Sequence, residues 1–259
     1  MPGAREPRAE PCWADLLTSD LGSAVEFYSR LFGWRFDDGP EARAEGYLPA
    51  YLDDQLVSGL VHNDRDSGAP DVWTTYLNVA DVHAAAFAAR LHGGKIHLKP
   101  VEIPEQGTLA MISDPEGIGI GLFQAFDAGD LHSARRHGTR IWSELHTKHF
   151  DAVARFYREA LGWELSTVSD SPEFRYCTLG QGSEALAGIY DIAGQGPEAH
   201  AGWRTYFAVD DADASVALAE LLGGAVIREP QDSFFGRMAV LHDSTGAEFS
   251  IIQPTRHRA

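Results

Sequence analysis

Apolar side chains recur at three- and four-residue steps in two windows of the chain, 22–32 and 150–161. Ala24, Phe27, Tyr28 and Leu31 fall together in the first, and Val153, Phe156, Tyr157 and Ala160 in the second. Residues so spaced share one side of a helix, so both windows are predicted to be amphipathic helices. Alanine-rich windows at 82–92 and 212–222 predict two more, with side chains small enough to lie close on a sheet. Gly33, Gly162, Gly93-Gly94 and Gly223-Gly224 follow these windows and read as helix stops, because glycine takes the left-handed conformation that closes a helix. The segments Asp114-Pro-Glu-Gly117 and Asp243-Ser-Thr-Gly246 suit type I turns, and each leads into an apolar strand.

The pattern is duplicated. Cys12-Trp-Ala-Asp-Leu-Leu-Thr18 with Phe27-Tyr28 and Gly33-Trp34 matches Ile141-Trp-Ser-Glu-Leu-His-Thr147 with Phe156-Tyr157 and Gly162-Trp163, without a gap. A second pair follows, Trp73-Thr-Thr-Tyr-Leu-Asn-Val-Ala-Asp81 before Leu91-His-Gly-Gly94, and Trp203-Arg-Thr-Tyr-Phe-Ala-Val-Asp-Asp211 before Leu221-Leu-Gly-Gly224. Strand, helix and strands thus recur four times, which predicts an α+β fold of four βαβββ modules in two domains. Their expected bounds are 12–126 and 141–254, with a disordered N-terminal tail at 1–11 and a linker at 127–140.

A first strand, a helix containing Phe-Tyr, the Gly-Trp pair and the closing Asp-x-x-Gly turn with its strand together resemble the vicinal-oxygen-chelate superfamily. That superfamily comprises glyoxalases, bleomycin-resistance proteins and extradiol dioxygenases. The resemblance covers nearly the whole chain and implies two glyoxalase-like domains with curved mixed β-sheets. It does not fix a reaction, because the fold carries isomerases, lyases, dioxygenases and sequestering proteins.

Charge and composition narrow the partners. A formal net charge of −17 opposes binding to a phosphate backbone, so nucleic acid is not an expected partner. No stretch reaches the roughly 20 apolar residues that span a bilayer, and the polar, proline-rich start lacks an apolar signal core. A cytoplasmic protein with a small-molecule ligand is expected, as a monomer or homodimer. Cys12 and Cys177 are too few for a disulfide framework and stand in no metal-binding spacing.

In metal-dependent members of the superfamily, a ligand on a module's first strand pairs with a glutamate on a last strand. The spacing maps those slots to Trp13, Thr74, Trp142 and Arg204, and to Gly59, Gly121, Gly188 and Ser250. None is a customary ligand, so neither metal nor cofactor is expected, with His62, His146 and Glu248 as the residues that stand against that reading.

Strand alternation then assigns the inward face. In the second half it holds Trp142, Glu144 and His146, with Arg204, Tyr206 and Glu248. In the first it holds Trp13 and Asp15, with Thr74 and Tyr76. Gly59, Gly119 and Gly121 are expected to leave room there for a flat ligand. Glu144, His146 and Arg204 are the candidate catalytic residues, imidazole being the group that exchanges protons most readily near neutral pH. Trp13, Asp15, Thr74, Tyr76, Trp142, Tyr206, Arg237, Glu248 and Ser250 are candidate ligand contacts. Each has a structural alternative: the indoles as core, Glu144 as the ion-pair partner of Arg204, His146 as a buried neutral ring, Arg237 as a strand-edge residue. His62, Asp64 and Asp66 read as a solvated loop.

Three functions compete. The first is metal-independent acid–base chemistry, of an isomerase, cyclase or lyase type, on an aromatic or carbonyl-containing metabolite. The second is sequestration of a ligand without reaction, a cationic one if the acidity guides it. The last is a metal-dependent glyoxalase, hydroxylase or dioxygenase.

Overall fold

A computed structural model describes residues 7–37, 39, 46–64, 66, 68–126, 136–196 and 199–255. Residues 1–6 of the expected tail and 127–135 of the expected linker lie outside the described residues.

Four βαβββ modules follow one another. The first is β1 (Pro11–Thr18), α1 (Leu21–Phe32), β2 (Arg35–Phe36), β3 (Tyr47–Leu52) and β4 (Gln55–His62). The second is β5 (Val72–Asn78), α2 (Val82–Leu91), β6 (Lys95–Ile103), β7 (Gly107–Ser113) and β8 (Gly119–Ala125). The third is β9 (Arg140–Thr147), α3 (Phe150–Leu161), β10 (Leu165–Asp170), β11 (Arg175–Leu179) and β12 (Ala187–Asp191). The fourth is β13 (Gly202–Ala208), α4 (Ala212–Leu221), β14 (Ala225–Ser233), β15 (Gly236–His242) and β16 (Glu248–Pro254).

The helix ends obey local chemistry. Asp20, Asp81 and Asp211 accept from the backbone N–H three residues on, each at 3.0 Å, which satisfies a donor that the first turn leaves over. α3 has no such cap at His149, but carries Asp151 in its first turn, where the helix dipole favours negative charge. Gly33 and Gly162 close α1 and α3 at φ of 73° and 70°.

The strands form two eight-stranded sheets, ordered β2-β3-β4-β1-β5-β8-β7-β6 and β10-β11-β12-β9-β13-β16-β15-β14. Within every module the first and last strands run parallel and the outer strands antiparallel.

By packing, the elements gather into two compact units. One is built chiefly from β5–β8 with α2 and β9–β12 with α3, around Leu77, Ile112, Leu122, Leu145, Phe156, Tyr157 and Trp163. The other is built chiefly from β1–β4 with α1 and β13–β16 with α4, around Leu16, Phe27, Tyr28, Trp34, Trp73, Phe207 and Phe249. Each sheet therefore uses strands of one half, whereas each core uses side chains of both. The repeated Gly-Trp pair has a physical role in both units. Trp34 is buried and its indole N–H donates to the Gly138 carbonyl at 2.8 Å, while Trp163 donates to the Ala9 carbonyl at 3.0 Å. A buried indole needs such an acceptor. Ala9, within the segment expected to be a tail, is itself buried.

Candidate functional site

Alternation along β9 builds the site. Ser143, Leu145 and Thr147 are fully buried on the face that carries Leu145 into the core, and Trp142, Glu144 and His146 occupy the other face, half-buried. The same division separates Thr205 and Phe207 from Arg204 and Tyr206 on β13, and Leu16 and Thr18 from Asp15 on β1. Thr74 and Tyr76 on β5, like Trp13, are half-buried.

Glu144 and His146, two residues apart on one strand face, are joined at 2.7 Å between Oε1 and Nε2, with side chains only 13% and 14% exposed. Tyr176 on β11, which sequence reading missed, donates its hydroxyl to the other carboxylate oxygen at 2.6 Å. Tyr190 on β12 stands opposite His146 and meets the imidazole edge to face at 5.3 Å. Phe174 stacks on Tyr176 at 5.5 Å. The result is a carboxylate with both oxygens engaged, an imidazole and an aromatic wall.

Gly188 explains how Tyr176 reaches Glu144. It lies directly across from Glu144 on β12, and a β-carbon there would overlap the Tyr176 hydroxyl. The first half repeats the device. Asp15 stands across from Gly59, Tyr47 donates to Asp15 at 3.3 Å, and a β-carbon on Gly59 would overlap the Tyr47 ring. There the positions of His146 and Tyr190 are held by Leu17 and Val61. In the second module Tyr76 lies over Gly121 in the same way. The expectation that Gly59 and Gly121 open room for a ligand is therefore corrected: tyrosine rings fill that space. Only Gly119, of the three, faces nothing within 4 Å. Tyr47 and Tyr176 could have been found by superposing the modules in strand register, since both sit across from the residue two beyond the glycine.

Other candidates find different partners. Arg204 forms an ion pair with Glu248, with the side chains 12% and 20% exposed. Ser250 lies across from Tyr206, fully buried, and its hydroxyl has no partner among the described residues. Arg237 grips Asp213 at 2.7 and 2.8 Å and Asp232 at 3.1 Å on the surface. Arg175 does the same with Asp151 and Asp170, so the two arginines are equivalent surface braces at the starts of β15 and β11. The Arg175 guanidinium holds Asp151 below the usual carboxylate range, and Arg237 does so for Asp213. His62, Asp64 and Asp66 are exposed, although His62 ends β4, across from Thr18, rather than lying in a loop, while Asn63 between them is buried and bonds Ala69 and Asp71. Cys12 and Cys177 are buried and in no disulfide, and burial pushes the Cys177 thiol up to about 11, away from reactivity.

The superfamily's metal ion can be tested against these residues. The slots read from spacing hold indole, hydroxyl, guanidinium or no side chain. The strand register places Asp15, Tyr76, Glu144 and Tyr206 across from the four last-strand slots, which returns one carboxylate to each half. Each of those carboxylates is bonded to a tyrosine lying over the glycine that would have to supply its partner ligand. Among the described residues no three His, Cys, Asp or Glu side chains converge as a metal site requires. The donor set does not fit the ion. No helix among the described residues is long and apolar enough to cross a membrane.

Comparison with known proteins agrees with the duplicated fold. The model of the Glyoxalase/Bleomycin resistance protein/Dioxygenase superfamily matches residues 12–122, and a glyoxalase-like domain model matches residues 142–252. CFP32 of Mycobacterium tuberculosis, provisionally named a glyoxylase, is 36% identical over 98% of both chains. The anthracycline biosynthesis protein DnrV of Streptomyces peucetius is 29% identical over 94% of this chain and 92% of its own. Among solved structures, a Mn(II)-bound glyoxalase from Novosphingobium aromaticivorans superposes with a TM-score of 0.66 at 15% identity, covering 98% of this chain and 87% of that one. The 2,3-dioxygenase LapB of a Pseudomonas strain gives 0.65 at 16%, covering 98% and 95%. The chain belongs to the Glyoxalase/Bleomycin resistance protein/Dioxygenase superfamily, as a tandem member with one glyoxalase-type domain in each half.

Proposed function

We propose that the second half carries a metal-independent acid–base site acting on a small aromatic or carbonyl-containing metabolite, with His146 as the proton carrier. One observation carries the reading. Both Glu144 oxygens are engaged, one by Tyr176 and one by His146 Nε2, while His146 Nδ1 has no partner among the described residues. A carboxylate accepting at Nε2 leaves Nδ1 as the nitrogen with the lone pair, which is the form that removes a proton from carbon. The proton taken at Nδ1 returns to the same molecule at another atom, which is the balance of an isomerisation or, with a leaving group, of a lyase step. Phe174, Tyr176 and Tyr190 supply aromatic surface. The similarity to an anthracycline biosynthesis protein supports a polycyclic aromatic substrate.

Deuterium uptake by aryl ketones and hydroxyquinones in heavy water tests this. The expected result is exchange at the carbon beside the carbonyl, faster with the protein by about 100-fold or more and lost in His146→Ala, with binding retained. Tight binding of such compounds with no exchange and no product would instead favour sequestration, the reading that the net charge of −17 supports for a cationic ligand.

A further inference from the structure

We infer that Tyr176 is a positioning residue that fixes, through Glu144, which nitrogen of His146 carries the proton, and that Gly188 exists to admit it. The inference rests on the proton-transfer reading above and adds a residue that neither sequence spacing nor the superfamily's ligand slots single out.

Glu144 is an extended, flexible side chain on an otherwise rigid strand. Left to itself it has several rotamers, and an imidazole two residues along has two tautomers. A carboxylate held less firmly could turn and leave the ring free to exchange between them. The hydroxyl of Tyr176, 2.6 Å from Oε2, ties down the second oxygen, so Oε1 stays 2.7 Å from Nε2. Tyr190, edge to face with the imidazole, opposes rotation of the ring itself. Gly188 is the enabling feature, since any β-carbon there would stand where the hydroxyl lies.

The first half serves as an internal comparison. Asp15, Tyr47 and Gly59 keep the tyrosine, acid and glycine, but Leu17 stands where His146 does. The pair of tyrosine and acid is thus a shared scaffold of both halves, and the second half alone, among the described residues, attaches an imidazole to it.

Nitrogen-15 spectra of the histidine side chains in the full chain test the inference without needing a substrate. The wild type is expected to show His146 as one tautomer at neutral pH, protonated on Nε2. Tyr176→Phe keeps the ring and its stacking on Phe174, and is expected to give a mixture of tautomers and a several-fold slower deuterium uptake by aryl ketones. Tyr47→Phe is expected to leave the His146 signals where they are. A wild-type mixture of tautomers, or a Tyr176→Phe spectrum identical to wild type in a folded protein, would overturn the inference. A fixed tautomer that Tyr176→Phe releases, in a protein that exchanges no compound, would uphold the inference while removing the proton-transfer reading.

Discussion

Tyr28 donates its buried hydroxyl to Asp243 across 2.8 Å and accepts from Trp73 at 3.0 Å, whereas its counterpart Tyr157 has a buried hydroxyl with no hydrogen-bond partner among the described residues. The two cores descend from one pattern, and the same three residue types occupy both: Trp73, Tyr28 and Asp243 in one, Trp203, Tyr157 and Asp114 in the other. In the second, the Trp203 indole nitrogen and Asp114 Oδ2 are also buried and have no well-formed hydrogen bond among the described residues. The difference sets different expectations for one substitution. Tyr28→Phe strands Asp243 Oδ2 and the Trp73 N–H and should cost about 1–3 kcal/mol, while Tyr157→Phe removes a hydroxyl that makes no well-formed hydrogen bond among the described residues and should cost clearly less. Denaturant unfolding of the two variants measures the contrast directly.

Asp114 makes the stability of its unit depend on pH. It is 2% exposed, and burial raises its carboxyl from 3.8 to about 6, despite the amide donors of Glu116 and Ile118. Between about pH 4 and 6 the folded chain keeps a proton that the unfolded chain has released. That contribution is fully present below about pH 4 and is lost as pH rises through 6, amounting to roughly 3 kcal/mol. Asp114→Asn retains an oxygen for both amides and should flatten this part of the profile, so that its advantage over wild type grows from pH 4 to pH 7. A variant that tracks the wild type at every pH would contradict this.

A methyl group distinguishes the filled glycines from the open one. Gly188→Ala forces its β-carbon into the Tyr176 hydroxyl and should destabilise the fold by about 1–3 kcal/mol, or displace the ring. Gly119→Ala meets nothing and should lie within about 0.5 kcal/mol of wild type. Thermal melts of both, with the Tyr176 ring signals followed by NMR, check it.

Arg237 offers a test of a residue read from sequence as a ligand contact. Its guanidinium is taken by Asp213 and Asp232 on the surface, so Arg237→Ala should leave the binding of a probe such as 1,4-dihydroxyanthraquinone unchanged. A large loss of binding would return Arg237 to the site.

What the sequence disclosed follows from how far each signal travels along the chain. Helices α1 and α3 were legible because Phe27-Tyr28 and Phe156-Tyr157 keep a helical period over three turns, and Gly33 and Gly162 mark their ends. Glu144 and His146 were legible as neighbours because alternation along one strand needs no knowledge of the next. Tyr176 was not, since its meeting with Glu144 depends on the antiparallel register of β11 on β12, and that register leaves no local mark. The same gap made Gly59 and Gly121 look like empty wall: an absent side chain shows where space opens, but not which ring from elsewhere enters it. The partner of Arg204 was equally out of reach, because Glu248 lies on another strand 44 positions away.

Metal titration of the purified chain bears most directly on the central claim, that tyrosine-bonded carboxylates have replaced the superfamily's metal-binding pairs. Isothermal titration with Mn(II), Fe(II), Ni(II) and Zn(II) should show no stoichiometric site in the wild type, and chelator-treated protein should keep its full rate of deuterium exchange. One equivalent bound per chain, lost in both Glu144→Gln and His146→Ala and needed for exchange, would contradict it.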